Sequence, residues 1–221
     1  MINNLNKKKQ PEQVKQHPVT SGPNTDSGER TTQGAIGERN RIALAYIELI
    51  RDKIFQKLPE AEKMALVKKV LSIGDEVADW VLKEFGINDP RKIAAQMGVK
   101  VLGEERSKRR GSEYRAEKKE IVIYRDFHDK LLREVRAPEL SENLLKFVVA
   151  HELFHHLEIV RVGEVYKRFK FKRWQLGPMV KEGYIKGLSK VAAQAFTQTL
   201  LKLQILPEVF DYLTYVVYSN K

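Results

Sequence analysis

Apolar residues recur at helical spacing over most of the chain and alternate with polar residues only in short stretches. After a polar start, the spacing predicts a helix that begins near Glu38 and stops before Pro59. Further helices are predicted around residues 64–71, 75–85, 90–97, 126–135, 142–157 and 188–203, with a last one after Pro207. The pattern therefore predicts a mainly helical chain.

Three short stretches instead indicate β-strands, at residues 99–102, 112–116 and 121–124. The last two flank the polar turn Glu117-Lys-Lys-Glu120, which is typical of a hairpin. Residues 169–174 alternate apolar and basic side chains, as a half-exposed strand or hairpin arm does. We predict an α+β fold, mostly helical, with a small antiparallel or mixed sheet of about three strands beside helix 142–157.

The polar start and the helical remainder suggest three regions. Residues 1–36 hold almost no large apolar groups, so they cannot bury enough surface to offset the entropy of ordering, and a disordered tail is predicted. Residues 37–72 are predicted to form a helical N-terminal extension. Residues 73–221 are predicted to form the main domain, with the sheet and the chemistry described next.

Composition narrows the classes of function. The 221 residues are 42% hydrophobic and 31% charged and include no cysteine, so disulfides and thiolate metal sites are excluded. The basic N-terminus is followed by no apolar stretch, and no segment has the length of a membrane span, which predicts a cytoplasmic protein without membrane contact. The net charge of +11 is compatible with a nucleic-acid or acidic partner.

The most informative motif is His151-Glu-Leu-Phe-His155. Two histidines four residues apart project from one face of a helix, so both imidazoles can reach one metal ion. Glu152 is placed to act on a metal-bound water rather than to bind the metal, as the general base of a zinc hydrolase. The turn angle directs His156 away from this face. We therefore predict a Zn²⁺ site with His151 and His155 as ligands and Glu152 as catalytic base.

Several other stretches stand in an order that resembles the ImmA/IrrE-type zinc metallopeptidases: Ile93-Ala-Ala-Gln-Met-Gly-Val-Lys-Val101, Ile121-Val-Ile-Tyr124, the HExxH helix, Ala193-Gln-Ala-Phe196, Leu200-Leu201 and Pro207. The resemblance covers about residues 75–207. It implies a metallopeptidase-like domain that hydrolyses a peptide bond in a regulatory protein, such as a repressor with a helix-turn-helix domain.

The chain departs from this family at the third ligand. The resemblance implies a glutamate in the downstream helix, but Leu188-Ser-Lys190 places a lysine there, and a protonated lysine cannot ligate a metal. Glu182 is the first substitute to consider, since Glu158 and Glu164 follow the histidines too closely. Alternatively, Lys190 is deprotonated, turns away, or pairs with Glu152 in a metal-free relative that binds a regulator without cleaving it.

A third hypothesis is nucleic-acid binding through basic residues interleaved with aromatic ones. The residues concerned are Arg168, Lys170, Lys172, Arg173 and Trp174, together with residues 106–110. A strand with a solvated basic face has the same pattern, so this hypothesis ranks below the peptidase and its inactive relative.

Overall fold

The computed structural model describes residues 26–105, 111–126, 129, 139–176 and 179–203, with no side-chain placement for 26–36, 139–141 and 173–181. Within these residues the bounds of six α-helices are defined: α1 (Asp26–Leu49), α2 (Lys53–Gln56), α3 (Glu60–Phe85), α4 (Pro90–Gln96), α5 (Glu139–Leu157) and α6 (Gly187–Leu201). The predicted α+β class is confirmed, since helices dominate and a small sheet lies beside α5. The helices predicted after residue 125 and after Pro207 lie mostly or wholly outside the described residues.

α3 is a single helix where the sequence pattern suggested two. The predicted break near residues 72–75 is wrong, because Gly74 lies inside the helix and packs directly against α6. The boundary predicted after residue 72 therefore falls within α3. Gly86 ends the helix with φ of 66°, a left-handed conformation that glycine adopts without strain.

α1 begins at Asp26, within the segment predicted to be a disordered tail. Extending a helix that already exists adds about one hydrogen bond for each residue fixed, so polar residues can continue it upstream of the first apolar position. Residues 1–25 lie outside the described residues. The predicted stop before Pro59 is replaced by a break after Leu49 and the short helix α2, capped by Asp52.

Three strands form a mixed sheet in the order β1-β3-β2: β1 (Lys100–Glu104), β2 (Ser112–Arg115) and β3 (Glu120–Tyr124). β2 and β3 pair antiparallel, as the predicted hairpin requires, and β1 pairs parallel to β3. A second hairpin joins β4 (Phe171–Leu176) to β5 (Met179–Gly183). The alternation at residues 169–174 therefore does indicate a hairpin arm.

The core lies between α3, α5 and α6, with α4 and β3 at its side. α5 contributes the buried residues Val149, Ala150, Leu153, Phe154 and Leu157. Phe154 packs on Phe196 of α6, with ring centroids 5.4 Å apart. This packing fixes α5 between the sheet and α6, which places the HExxH residues at their junction. No helix in the described part of the chain is long and apolar enough to cross a membrane.

Candidate active site around the HExxH helix

α5 places His151 and His155 next to each other on one face. Their ring centroids are 5.2 Å apart and their planes are nearly perpendicular, as four-residue spacing on a helix allows. Burial lowers the pKa of His151 to about 3, with smaller contributions from His155 and from the charge of Lys190. At neutral pH the His151 ring is therefore uncharged, which is the form that can bind a metal.

Glu152 turns toward the sheet instead. Its side chain is buried and accepts a hydrogen bond of 2.7 Å from Ser112 Oγ and another from the backbone N–H of Tyr114. Burial raises the pKa of Glu152, while neighbouring His155 and the two hydrogen bonds act in the opposite direction. β2, which ends the sheet among the described strands, thus holds the carboxylate of the predicted general base.

His156 is buried against β2, away from the other two histidines, as the turn angle predicts. The Tyr114 hydroxyl lies 2.6 Å from His156 Nδ1. Burial lowers the pKa of His156, so the ring is neutral at pH 7. His156 and Glu152 together attach the HExxH helix to β2.

Glu158 has a role that the sequence did not reveal. α5 continues into a π-helical turn, Glu158–Val162, which directs the Glu158 side chain back into the protein. Its carboxylate accepts hydrogen bonds from Val165 N–H at 2.9 Å and from Ser189 Oγ at 2.5 Å, and it contacts His155 Nδ1 at 2.9 Å.

Because Glu158 receives these donors as a carboxylate, Nδ1 of His155 carries the proton of that contact. With Nδ1 as the donor, Nε2 is the ring nitrogen left for a ligand, the arrangement that orients histidine ligands in metal sites. The only sequence signal for this role was the three-residue spacing after His155, which puts the two side chains on neighbouring positions of a helix.

Lys190 has an acidic partner from a distant part of the chain. Its ammonium lies 3.2 Å from Glu48 Oε1 near the end of α1. One alternative predicted an ion pair between Lys190 and Glu152. The Lys190 ammonium instead contacts Glu48, while Glu152 accepts a hydrogen bond from Ser112 of β2. Glu48 was missed because its helix was predicted without any indication of what it packs against.

The substitute ligands considered from the sequence contact other groups. Glu182 on β5 is exposed and forms an ion pair with Lys170 at 3.2 Å. Glu164 pairs with Lys167 and accepts from the Tyr166 hydroxyl. Among the described residues, no group of three or more His, Cys, Asp or Glu side chains could hold a metal ion. Catalytic zinc uses three protein ligands, so these residues do not fit a complete zinc site.

Two of the residues proposed for nucleic-acid binding have partners within the chain. Lys170 pairs with Glu182, and the Arg168 guanidinium donates to the Val162 carbonyl. Residues 106–110 and the side chains of Arg173 and Trp174 lie outside the part of the chain described. The nucleic-acid hypothesis stays a prediction from the sequence pattern.

Comparisons with protein-family models, with curated proteins and with solved structures find no match for this chain. The resemblance to the ImmA/IrrE-type metallopeptidases therefore stays a prediction that depends on the motifs themselves.

Proposed function

We propose that this chain is a metallopeptidase-like protein that binds an extended segment of a partner polypeptide without hydrolysing it. One observation carries the proposal: where the family resemblance implies a third metal-binding carboxylate, Lys190 presents an ammonium paired with Glu48. The positive charge of Lys190 acts on His151 and so opposes a dication there, and the described residues hold no group of three or more His, Cys, Asp or Glu that could bind one.

The edge of β2 offers a surface for an extended peptide. Tyr124 N–H donates to the Gly111 carbonyl at 3.0 Å, so residue 111 is in a hydrogen-bonded pair with β3. In an antiparallel ladder such pairs alternate with non-bonded ones. The backbone groups of Ser112 and Tyr114 therefore point away from β3, in agreement with the bond from Tyr114 N–H to Glu152.

Within the described residues, no strand pairs with this outer edge of β2. A peptide that adds to the sheet here would meet the N–H and C=O of Ser112 and the C=O of Tyr114. It would run beside Glu152, because Ser112 and Tyr114 both donate to that carboxylate. Strand addition at β2 thus brings a partner polypeptide to the HExxH helix.

A zinc peptidase is the second candidate, and the Glu158–His155 contact favours it. That contact leaves Nε2 of His155 as an acceptor, the form a metal ligand requires. Glu152 is likewise held in place by β2. For this candidate to be correct, the third ligand must come from residues outside the described part of the chain or from a rearrangement at Lys190.

Peptide binding can be tested with an array of extended peptides of varied sequence. We expect a subset of the peptides to bind. Alternate backbone amides can be N-methylated in two phases, at the odd-numbered or at the even-numbered positions, and only one of the two phases should abolish binding. The same peptides methylated in the opposite phase are the matched control, because only every second amide faces β2 in a sheet. Equal loss in both phases, or no binding at all, would contradict strand addition.

The absence of hydrolysis is tested separately through metal content and cleavage. We expect the purified protein to contain less than one zinc per chain and to leave the bound peptides intact. The Lys190→Glu variant should retain more zinc, because it supplies the carboxylate that the family resemblance implies. Stoichiometric zinc in the natural sequence, with cleavage that a Glu152→Gln variant lacks, would instead identify the chain as a peptidase.

A further inference from the structure

A cavity opens where the ends of several helices meet. It lies between the last turn of α3, the linker into α4, the N-terminal half of α5 and the end of α6. Its volume is about 820 Å³. Pockets that hold small molecules usually have volumes of about 300–1,000 Å³. The cavity is therefore large enough for a small organic ligand.

Part of the cavity wall is apolar and incompletely covered. The side chains concerned are all half-buried: Leu82 of α3, Ile87 of the linker, and Leu201 and Leu203 at the end of α6. Removing apolar surface from water lowers the free energy. An apolar chain or ring bound here would therefore be stabilised by contact with these four residues.

The charged side chains of the wall are mainly cationic. Three lysines reach it from three different elements: Lys92 of α4, Lys146 of α5 and Lys202 after α6. The one carboxylate among the described lining residues is Asp89, which accepts hydrogen bonds of 3.0 and 3.3 Å from backbone N–H groups in the first turn of α4. Lys146 also forms an ion pair with Glu142 at 3.0 Å. Asp89 thus serves as the cap of α4, and positive charge predominates in the cavity.

Two of the lysines carry most of this charge. In the part of the chain that the structure describes, neither Lys92 nor Lys202 forms an ion pair with an acidic side chain. Like charges that line one cavity repel each other, whereas an anion between them attracts both. Asn88 and Asn143 also line the cavity, and their amide N–H groups can donate to an anion. The polar part of the wall therefore favours a negatively charged group.

The cavity is separate from the candidate active site. Lys146 lies five residues before His151. On a helix this spacing turns the two side chains about 140° apart and puts Lys146 about one and a half turns nearer the N-terminus. The cavity thus opens on a different side of α5 from the histidine pair. A ligand in it is independent of the peptide proposed at β2, so either proposal can fail without the other.

We propose that this cavity binds a small amphipathic anion. Its carboxylate or phosphate head would contact the ammonium groups of Lys92 and Lys202, and its apolar chain or ring would cover the apolar wall. Both parts are needed, because water and salt screen the attraction between a small anion and exposed ammonium groups.

The test follows the binding of two probes, octanoate and octyl phosphate, to the full chain by NMR. The backbone amide of Gly86 in the cavity wall is the reporter, and the amide of Gly98, another helix-end glycine that is not among the lining residues, is the reference. We expect a saturable shift of the Gly86 signal with at least one probe, and the tighter of the two identifies the head group. Acetate lacks the apolar chain and octylammonium lacks the negative charge, so each should bind about tenfold more weakly.

The double variant Lys92→Gln with Lys202→Gln should weaken binding of the tighter probe about fivefold, since each exposed ammonium contributes a modest attraction. Lys68→Gln with Lys100→Gln is the matched control, because it removes the same charge from two exposed lysines that do not line the cavity. We expect the control to leave the affinity within about twofold of the parent.

The absence of a saturable shift at Gly86 would overturn the proposal, and so would acetate or octylammonium binding as tightly as the probes. An equal loss of affinity in both double variants, each shown by circular dichroism to be folded, would overturn it as well, because net charge alone would then explain the binding.

Discussion

Replacement of Gly74 by alanine should separate the two central helices of the fold. An added Cβ at this position would lie 2.3 Å from the Ala192 carbonyl oxygen and 2.7 Å from Ala195 Cβ. It would also lie 2.8 Å from the Phe196 nitrogen. None of these atoms is the end of a flexible side chain, so no rotamer change can relieve the clash. Because carbon contacts are normally about 3.5 Å, α3 and α6 must move apart by about 1 Å.

Two opposing effects determine the size of the loss. Alanine is favoured over glycine in a helix interior by about 1 kcal/mol. Overpacking of a close-packed core costs about 1–3 kcal/mol, and more where backbone must shift. The clash here involves backbone atoms of the most extensive helix interface, so we expect the packing cost to exceed the gain in helix propensity. The net loss should be about 2 kcal/mol in the free energy of unfolding. For a chain of this length that corresponds to a fall in Tm of about 4–8 °C.

Gly37→Ala provides the matched control. Gly37 is also inside a helix, α1, but a Cβ there would meet no atom within 4 Å. The same substitution should therefore stabilise the protein by about 0.5–1 kcal/mol through propensity alone. Urea unfolding followed by circular dichroism measures both variants. If Gly74→Ala unfolds at the same urea concentration as Gly37→Ala, or above the parent, the argument from close helix approach is refuted.

Two further substitutions probe the hydrogen bonds around the HExxH helix. Glu158→Gln should lower the free energy of unfolding by about 2–3 kcal/mol, because an amide cannot satisfy all the buried donors that face this carboxylate; urea unfolding equal to the parent would contradict this role. Tyr114→Phe should cost about 1 kcal/mol by removing the partner of buried His156, and an unchanged imidazole NMR signal of His156 would show that the contact does not form.

Local patterns predicted the elements that carry the candidate site, because those elements depend on sequence neighbours. The hairpin of β2 and β3 follows from two alternating stretches around a polar turn. The histidine pair follows from four-residue spacing on a helix with an apolar face. Gly74 shows the limit of this reasoning. A glycine between two stretches of apolar helical spacing gives no local sign that the helix continues, and only the partner helix reveals that it allows close packing.

The partners of the site residues could not be predicted, since they come from remote positions. Glu48 lies 142 positions before Lys190 in the chain, and nothing in the spacing of either residue links them. Glu158 depends on a π-helical turn that redirects its side chain after the end of α5. Both are carboxylates whose role is set by the donors around them, and packing, not local pattern, brings those donors together.

The charge of residue 190 and the presence of Glu48 must be considered together. A glutamate at position 190 would place two carboxylates next to each other, and like charges at such distances disfavour the folded chain unless a cation neutralises them. A Lys190→Glu chain would then depend on a bound dication for stability, since a ligand that binds only the folded state stabilises it. Lysine at this position neutralises Glu48 within the chain itself. Lys190 thus supplies the charge that balances Glu48, so this pair needs no bound cation to be neutral.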